Sequence, residues 1–362
     1  MKRAVPLVPL VALLGACNWV NPCPTIVYAA GSSQSLTVAV TESLLVDAPV
    51  SRARWVCHRL TAQASYELID RPDAEVALAE RIAGDRTVVT VVGHFRSRGS
   101  LAAAPVYARA GIPQIVPSAT SHLLRAAGPW TFVLAPADSA EAAFLAAAVD
   151  SMGARRVILL YSGEPYGEGL VEAIRPELGR RGIAVVNEVR LGVGTDVATL
   201  VEAGVRRHPA DALLLLADYS QAAAIVRTVV PLRPKLRLLA ADGAMYPAGL
   251  RHLAGAAAES LYIVSFWHPD TSDSATRRFI ARFHGIAGRD PTPSEALGYD
   301  AMLYARTALA AVGPDRSAIR AWLAGPGGTT PPPGHVTGAT LHDGPPPRFL
   351  LMRIGRPLTT GP

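Results

Sequence analysis

The sequence predicts an α/β protein with two Rossmann-like lobes, each built around a parallel sheet. From residue 66 onward, short apolar, β-branched runs alternate with helical segments of roughly ten to fifteen residues, the pattern of parallel strands joined by crossover helices. The chain has 362 residues, half of them hydrophobic, which is enough for two sizeable cores. Because no long linker divides the chain, we expect the lobes to interleave along the sequence.

Each element follows from its local pattern. Strands are predicted where short apolar runs stand between turn residues: 25–29, 36–40, 87–92, 114–116, 156–161, 184–188, 212–216, 237–240, 260–264 and 348–354. Helices are predicted between them, at 101–110, 140–152, 166–181, 197–207, 221–229, 274–284 and 295–312. Glycine and proline mark the joins, as at 111–113 and 128–129. No convincing amphipathic helix follows either of the first two strands.

The N-terminus has the pattern of an export signal. Lys2 and Arg3 precede an uncharged apolar run at 4–14, which is too short to span a bilayer and has the length of a signal-peptide core. The run ends at Leu14-Gly15-Ala16-Cys17, which resembles the lipobox of bacterial lipoproteins. We therefore predict a signal peptide at 1–16, a lipidated Cys17 and a tether at 17–24, so that the lipid alone anchors the exported chain to the cell envelope. A plain secretory signal is the alternative.

The remaining cysteines and the overall charge limit the possible cofactors and partners. Cys23 and Cys57 are an even pair in an oxidising compartment, which favours a disulfide, with two free thiols as the alternative. Without a CxxC motif, and with dispersed histidines, the sequence predicts no metal site and no cofactor. The net charge of +6 comes from scattered arginines with no basic stripe, so no nucleic-acid partner is expected.

The segment at 87–124 is the most informative part of the chain. An apolar strand runs into Gly93, the chain turns, and a helix is expected to begin near 99–101. Such a joint directs free backbone N–H groups and the positive end of a helix dipole beyond the strand, where ligands of open α/β sheets bind. A carboxylate suits that position.

The same segment resembles the leucine/isoleucine/valine-binding protein family of ABC-transporter receptors, the type I periplasmic binding proteins. The motifs are Gly93-His94-Phe95-Arg96-Ser97, Ile112-Pro113-Gln114-Ile115 and Pro117-Ser118-Ala119-Thr120. The resemblance implies two lobes joined by a multi-strand hinge, the first comprising 25–134 plus 267–337 and the second 135–266 plus 338–362. Before residue 66 the likeness ends, and the usual first strand, first helix and their ligand-facing aromatic are expected to be compressed or absent.

The resemblance also implies a set of ligand-binding residues. The ligand carboxylate is assigned to Ser97 and Thr120, and the ammonium to the Ser118 carbonyl in the loop that includes Ala119, with Phe95 lining the side-chain pocket. In the second lobe, Tyr166 and Tyr219 follow strands and are placed over the cleft, and Asp242 stands where the family carries a glutamate against the ligand ammonium. Each has a simpler alternative: Ser97 and Thr120 as helix N-caps, the tyrosines as interface aromatics with hydroxyls in water, and Asp242 as a turn residue.

These observations predict a monomeric extracytoplasmic receptor that delivers an amino acid, branched-chain or similar, or a related small carboxylate, to an ABC permease. A non-transport lipoprotein, acting as a regulator or sensor on the same fold, is the alternative. An enzyme is not expected, because GxSxG, GxxxxGK[ST] and GxGxxG motifs are all absent. A DNA-binding repressor of this fold would carry a helix-turn-helix where this chain has a signal peptide.

Overall fold

A computed structural model describes residues 24–29, 59–62, 72–192, 196–268, 272–341, 349–354 and 356–357. The predicted signal peptide, Cys17, Cys23, Cys57 and the strand predicted at 36–40 lie outside the described residues. None of the helices within these ranges is long and apolar enough to cross a membrane.

The described residues form twelve strands and twelve helices. The strands are β1 Thr25–Ala29, β2 Arg59–Ala62, β3 Val88–Gly93, β4 Gln114–Val116, β5 Thr131–Val133, β6 Arg156–Ser162, β7 Ala184–Leu191, β8 Ala212–Leu216, β9 Arg237–Ala240, β10 Leu261–Ser265, β11 Leu350–Arg353 and β12 Arg356–Pro357. The helices are α1 Pro72–Gly84, α2 Ser97–Ala110, α3 His122–Arg125, α4 Asp138–Ser151, α5 Pro165–Arg180, α6 Val197–Arg207, α7 Tyr219–Leu232, α8 Pro247–Ala254, α9 Ser274–Ala287, α10 Pro293–Val312, α11 Arg316–Ala324 and α12 Pro326–Thr329. Short 3-10 helices also span Asp242–Ala244 and Gly255–Ser260.

The first sheet contains five strands in the order β2-β1-β3-β4-β5, and every neighbouring pair is parallel. All residues of β1 and β3 are buried, as expected for strands covered by helices on both faces. β1 pairs with both β2 and β3. The expectation that the first strand is compressed or absent is therefore wrong.

The second sheet contains seven strands in the order β12-β11-β10-β9-β8-β6-β7. The strands from β6 to β10 pair in parallel, whereas β11 and β12 add an antiparallel edge. The two sheets, parallel apart from this edge, confirm the predicted α/β fold with two lobes. β6 and β8 are almost entirely buried, which explains their continuous apolar sequences.

Helices cover both faces of each sheet. On the first sheet, α9, α10 and α11 contribute Phe279, Tyr304 and Ile319 to the core of one face. On its opposite face, α1 and α2 contribute Leu78 and Tyr107. The second sheet is enclosed in the same way, by α4 and α5 on one face and by α6, α7 and α8 on the other.

The chain passes between the two sheets three times. The first passage follows β5 and leads into α4, the second follows β10 and leads into α9, and the third precedes β11. Loops at the carboxyl ends of the strands of both sheets therefore meet near these passages, where ligands of α/β proteins bind.

Several element boundaries differ from the sequence prediction, and three differences affect the site. α2 begins at Ser97 rather than near residue 101, so Ser97 lies in the first helical turn. α4 begins at Asp138, two residues before its predicted start, and follows the three-residue strand β5, which the sequence pattern did not predict. β2 and α1 were not predicted either.

Candidate functional site

The turn between β3 and α2 is held by buried polar contacts. Gly93 has φ +148°, and a Cβ there would lie 2.5 Å from the Ala29 carbonyl oxygen, so the close approach of the strands requires glycine. The Ser100 hydroxyl donates to the His94 carbonyl oxygen at 3.0 Å. The Gln114 amide donates to the carbonyl oxygens of Gly93 at 3.0 Å and Ser100 at 3.3 Å. The turn is thus fixed from the neighbouring strand.

The buried side chain of His94 also holds this turn in place. Its Nδ1 pairs with the Glu75 carboxylate of α1, and its Nε2 lies 3.0 Å from the Tyr107 hydroxyl of α2. His94 as a whole is 1 % exposed. His94 therefore links α1 to α2. These contacts hold the N-terminus of α2, where Ser97 lies, in position.

Three buried hydroxyls are assigned to the first wall of the candidate site: Ser97, Thr120 and Ser121. Among the described residues, none of the three hydroxyl oxygens has a hydrogen-bond partner. The N-cap positions of α2 and α3 are Arg96 and Ser121, and neither makes a side-chain cap hydrogen bond. The N-cap interpretation of Ser97 and Thr120 is therefore wrong. Buried hydroxyls without partners cost free energy, so these three oxygens are candidates to meet an acceptor or donor from outside the chain.

The other predicted residues of the first lobe surround these hydroxyls. The Ser118 hydroxyl donates to the Phe95 carbonyl oxygen at 3.0 Å, which ties the two loops together. Ala119 is buried, whereas Phe95 is 36 % exposed. The loop contact positions Phe95 at the edge of the site.

The second wall contains the predicted Tyr166 and Asp242. The Tyr166 hydroxyl donates to Asp242 Oδ1 at 2.7 Å and accepts the Gly243 N–H at 2.8 Å. Burial, followed by the negative charge of Asp242, raises the pKa of Tyr166. The interpretation of Tyr166 as an aromatic with its hydroxyl in water is therefore wrong. Asp242 does begin a 3-10 turn, so its role in a turn and its contact with Tyr166 coexist.

Asp138, at the start of α4, is a further candidate site residue that the sequence pattern did not indicate. It is 2 % exposed, and neither carboxylate oxygen has a hydrogen-bond partner among the described residues. Burial raises its pKa to about 6; Thr120 opposes this shift, and the charge of Asp242 adds to it. Thr120 and His122 both lie close to this carboxylate and oppose the rise in its pKa. Gly169 of α5 lies against it, since a Cβ there would be 2.5 Å from Oδ2.

Glu141, one helical turn after Asp138, was also missed. Its Oε1 accepts the Asp242 N–H at 2.7 Å. Burial, then the negative charge of Asp242, raises its pKa well above the usual range, and burial likewise raises the pKa of Asp242. The second wall is therefore acidic, whereas the first presents neutral hydroxyls and a helix N-terminus. Among the residues described, no cluster of histidine, cysteine and acidic side chains could hold a metal ion.

Two ion pairs join the lobes beside the site. Arg96 Nη1 lies 3.2 Å from Asp218 Oδ2, and Arg98 Nη1 lies 3.0 Å from Glu164 Oε1. Burial alone would raise the pKa of Asp218, but Arg96 and hydrogen bonds from Ser220 and Gln221 outweigh it and lower that pKa. Asp218 also caps α7, whose first residue is the predicted Tyr219. The Tyr219 ring packs edge-on against Tyr246, with ring centroids 5.0 Å apart.

Comparison with known proteins assigns this architecture to a family. A family model described as "Periplasmic binding protein" matches residues 70–347. The chain belongs to the periplasmic binding protein family. This membership confirms the predicted resemblance to type I periplasmic binding proteins of the leucine/isoleucine/valine-binding kind.

Curated relatives match this periplasmic binding protein over part of their length. An "Amino acid binding protein" of Pseudomonas aeruginosa is 26 % identical over 174 residues, 48 % of this chain and 46 % of the relative. A "Leu/Ile/Val-binding protein homolog 1" of Brucella suis is 23 % identical over 236 residues, 65 % of this chain and 62 % of the relative. The chain thus spans about half to three fifths of the length of these relatives.

Solved structures of similar fold extend the likeness over most of the chain. A leucine-binding protein from Thermotoga maritima has a TM-score of 0.76 at 20 % identity, covering 91 % of this periplasmic binding protein and 94 % of the other chain. A branched-chain amino acid transporter substrate-binding protein from Streptococcus pneumoniae, in complex with isoleucine, has a TM-score of 0.77 at 17 % identity, covering 93 % and 98 %. A solute-binding protein from R. palustris, in complex with 4-hydroxybenzoate, has a TM-score of 0.73 at 15 % identity, covering 84 % of each chain. These structures share the fold.

Proposed function

We propose that this protein is an extracytoplasmic solute receptor that binds an amino acid between its lobes and delivers it to an ABC transporter. One observation carries the proposal: the buried hydroxyls of Ser97 and Thr120 and the buried carboxylate of Asp138 have no hydrogen-bond partner among the described residues, and Thr120 lies beside Asp138. A zwitterion supplies what both walls need, an acceptor for the hydroxyls and a cationic donor for the carboxylate.

The polarity of the walls orients such a ligand. The Ser97 and Thr120 hydroxyls, with the N-terminus of α2, favour the ligand carboxylate. The ammonium is then directed toward Asp138. The Asp242 carboxylate already accepts the Tyr166 hydroxyl, so we assign it a supporting role in the second wall. We retain the Ser118 carbonyl as a second ammonium acceptor, with Phe95, Ala119 and Tyr219 beside the ligand side chain.

The acidic wall favours a ligand with an amine over a plain carboxylate. Among proteins of similar fold, one is in complex with isoleucine and another with 4-hydroxybenzoate, which has no amine. A carboxylate ligand without a cation would leave Asp138 desolvated and unpaired, which costs several kcal/mol for a buried charge. We therefore place this chain with the amino-acid receptors.

Ligand contacts to both walls would select the closed arrangement of the lobes. We propose lobe boundaries at 25–134 plus 267–337 and at 135–266 plus 338–362, with a monomer as the binding unit. The pairs Arg96–Asp218 and Arg98–Glu164 join these lobes and would add to closure.

Calorimetric titration of the purified full-length chain with each of the twenty common L-amino acids tests the proposal. We expect micromolar or tighter binding of at least one apolar amino acid, and at least tenfold weaker binding of its deaminated analogue, such as 4-methylpentanoate for leucine. Glu202→Gln changes a largely exposed side chain on α6 and serves as a control variant, which should bind with wild-type affinity. No heat from any amino acid would reject the receptor function and favour the regulatory alternative.

We further propose that Cys17 is lipidated and retains the exported chain at the membrane. The Leu14-Gly15-Ala16-Cys17 sequence supports this anchor. Mass spectrometry of the N-terminal peptide from bacterial membranes should show a diacylglycerol-modified Cys17, and Cys17→Ser should move the chain to the soluble fraction. An unmodified Cys17 in membrane-derived protein would exclude the lipid anchor.

A further inference from the structure

Gly169 is a buried glycine in the second turn of α5. Glycine inside a helix is less favourable than alanine, because the unfolded chain has more conformational freedom to lose. At Gly179, near the end of the same helix, an added Cβ would meet no atom within 4 Å. At Gly169 it would overlap another side chain, so the structure gives a steric reason for glycine at this position.

The atoms that lie against Gly169 belong to two side chains. A Cβ at this position would lie 2.5 Å from Asp138 Oδ2, much closer than carbon and oxygen approach without overlap, and 3.5 Å from His122 Nδ1, an ordinary contact. Asp138 begins α4, which leads into the second sheet, whereas His122 begins α3, between two strands of the first sheet. The bare backbone of α5 therefore packs directly against the Asp138 carboxylate where the two parts of the chain meet.

The preceding turn of α5 shows the opposite arrangement. Tyr166, three residues before Gly169, projects from the same side of the helix. Its hydroxyl donates to Asp242 Oδ1 at 2.7 Å. Beside Gly169, neither carboxylate oxygen of Asp138 has a hydrogen-bond partner among the described residues. One face of α5 thus supplies a donor to Asp242 and leaves Asp138 without one.

We propose that Gly169 is a positioning residue that gives the site its preference for an amine: because it has no side chain, the Asp138 carboxylate keeps the position in which it accepts the ligand ammonium. This role rests on the proposed receptor function. Asp138 is 2 % exposed, so a methyl group at position 169 would force its carboxylate to rotate or α4 and α5 to separate. Either change disturbs the contact with the ammonium, whereas the ligand carboxylate is assigned to Ser97 and Thr120 on other elements.

Gly169→Ala tests this role by calorimetry on the full-length chain. The probes are the common L-amino acid that gives the largest heat and its deaminated analogue. We expect the affinity for the amino acid to fall by at least about tenfold, because the ammonium loses its contact with a buried charge. The affinity for the analogue should change by less than about threefold. A loss of packing alone would weaken the binding of both probes alike.

Two further variants separate the position of Asp138 from general packing. Gly179→Ala adds the same methyl group to the same helix without a steric overlap, and it should bind both probes with wild-type affinity. Asp138→Asn combined with Gly169→Ala should bind the amino acid at most about twofold more weakly than Asp138→Asn alone, since the charge pair that the methyl group disturbs is already lost.

The possible outcomes distinguish the role of Gly169 from the receptor function. Unchanged affinities in Gly169→Ala, or equal losses for both probes, overturn the role of Gly169 and leave the receptor function standing. No heat from any common amino acid with the wild type rejects the receptor function, and the role of Gly169 with it. Should Gly169→Ala fail to fold, a crystal structure of the wild type with the bound amino acid decides. The ammonium nitrogen should lie within about 3 Å of an Asp138 carboxylate oxygen, and an ammonium bound elsewhere overturns the role of Gly169.

Discussion

Asp138 and Asp300 are two buried aspartates in different regions with different surroundings. Burial raises the pKa of each to about 6. The Asp300 carboxylate on α10 accepts the Val336 N–H at 2.8 Å and, from Thr337, the backbone N–H at 2.8 Å and the hydroxyl at 2.6 Å. Asp138 has no such partner among the described residues. We therefore expect Asp300 to stabilise the fold and Asp138 to be available to a ligand.

Replacing Asp138 should produce the largest loss of ligand affinity. We expect Asp138→Asn to weaken amino-acid binding by at least about a hundredfold, because a buried ammonium would lose its charged partner. The free energy of unfolding at neutral pH should increase by about 1–3 kcal/mol, because the folded chain no longer buries an unpaired charge. Calorimetry and urea unfolding measure the two effects, and a variant that binds normally would remove Asp138 from the site.

The pH dependence of stability gives a second measure of Asp138. Its pKa of about 6 in the folded chain exceeds the unfolded value of about 3.9, so the folded state binds more protons in that window. The contribution of Asp138 to stability therefore falls as the pH rises from about 4 to about 6 and stays low above it. The difference between Asp138→Asn and the wild type should be largest above about pH 6 and vanish toward pH 4.

Replacing Asp300 should reverse the pattern. We expect Asp300→Ala to lower the free energy of unfolding by about 3 kcal/mol, because two buried N–H groups and a hydroxyl lose their acceptor. Amino-acid affinity, measured on the remaining folded protein, should change less than about twofold. A normal unfolding midpoint in urea would contradict the structural role of Asp300.

The hydroxyl wall should contribute less than the charged wall. Thr120→Val and Ser97→Ala should each weaken binding by about tenfold, the effect of losing one hydrogen bond to a carboxylate. Ser97→Ala should not lower stability, because it removes a buried hydroxyl without a partner. Thr120→Val also removes the group that opposes the raised pKa of Asp138, so it should lower stability slightly at neutral pH. Calorimetry with an amino acid and its methyl ester would localise the loss: the ester should be affected less. Equal losses for both would place the hydroxyls elsewhere on the ligand.

The ion pairs between the lobes should have the smallest effect. Both are partly exposed, so each is expected to contribute less than about 1 kcal/mol. Arg96→Ala and Arg98→Ala together should weaken binding by about threefold and flatten its dependence on salt. Titrations at low and high sodium chloride test this, and an unchanged salt dependence would show that the pairs do not contribute to closure.

The sequence predicted the parts of the site that depend on local order. Ser97 follows an apolar strand and a Gly-His turn, and Thr120 follows another strand, so both could be placed at a sheet edge. The strand β5 before Asp138 has only three residues, and α4 was predicted to start two residues too late. Asp138 therefore had the pattern of an exposed loop residue. The signal available was an acid at the start of a helix that follows an apolar run.

Burial by distant segments could not be predicted from local pattern. Glu141 meets Asp242 across 101 residues of chain, and Asp300 meets Thr337 across 37. The helical pattern gives both acids the ordinary role of a solvated helix face. Each acid becomes a buried carboxyl only when a segment distant in sequence packs against it, which depends on the tertiary fold.

Asp138 directly follows the first passage of the chain between the lobes. A group beside a pivot moves little when two bodies rotate, whereas groups farther out, such as Tyr219, travel a longer arc. We therefore expect the cation to meet its partner early, while the lobes stand apart, and the outer contacts to form as they swing together. Asp138 would then mainly determine the association rate of the amino acid, and the outer contacts its dissociation rate.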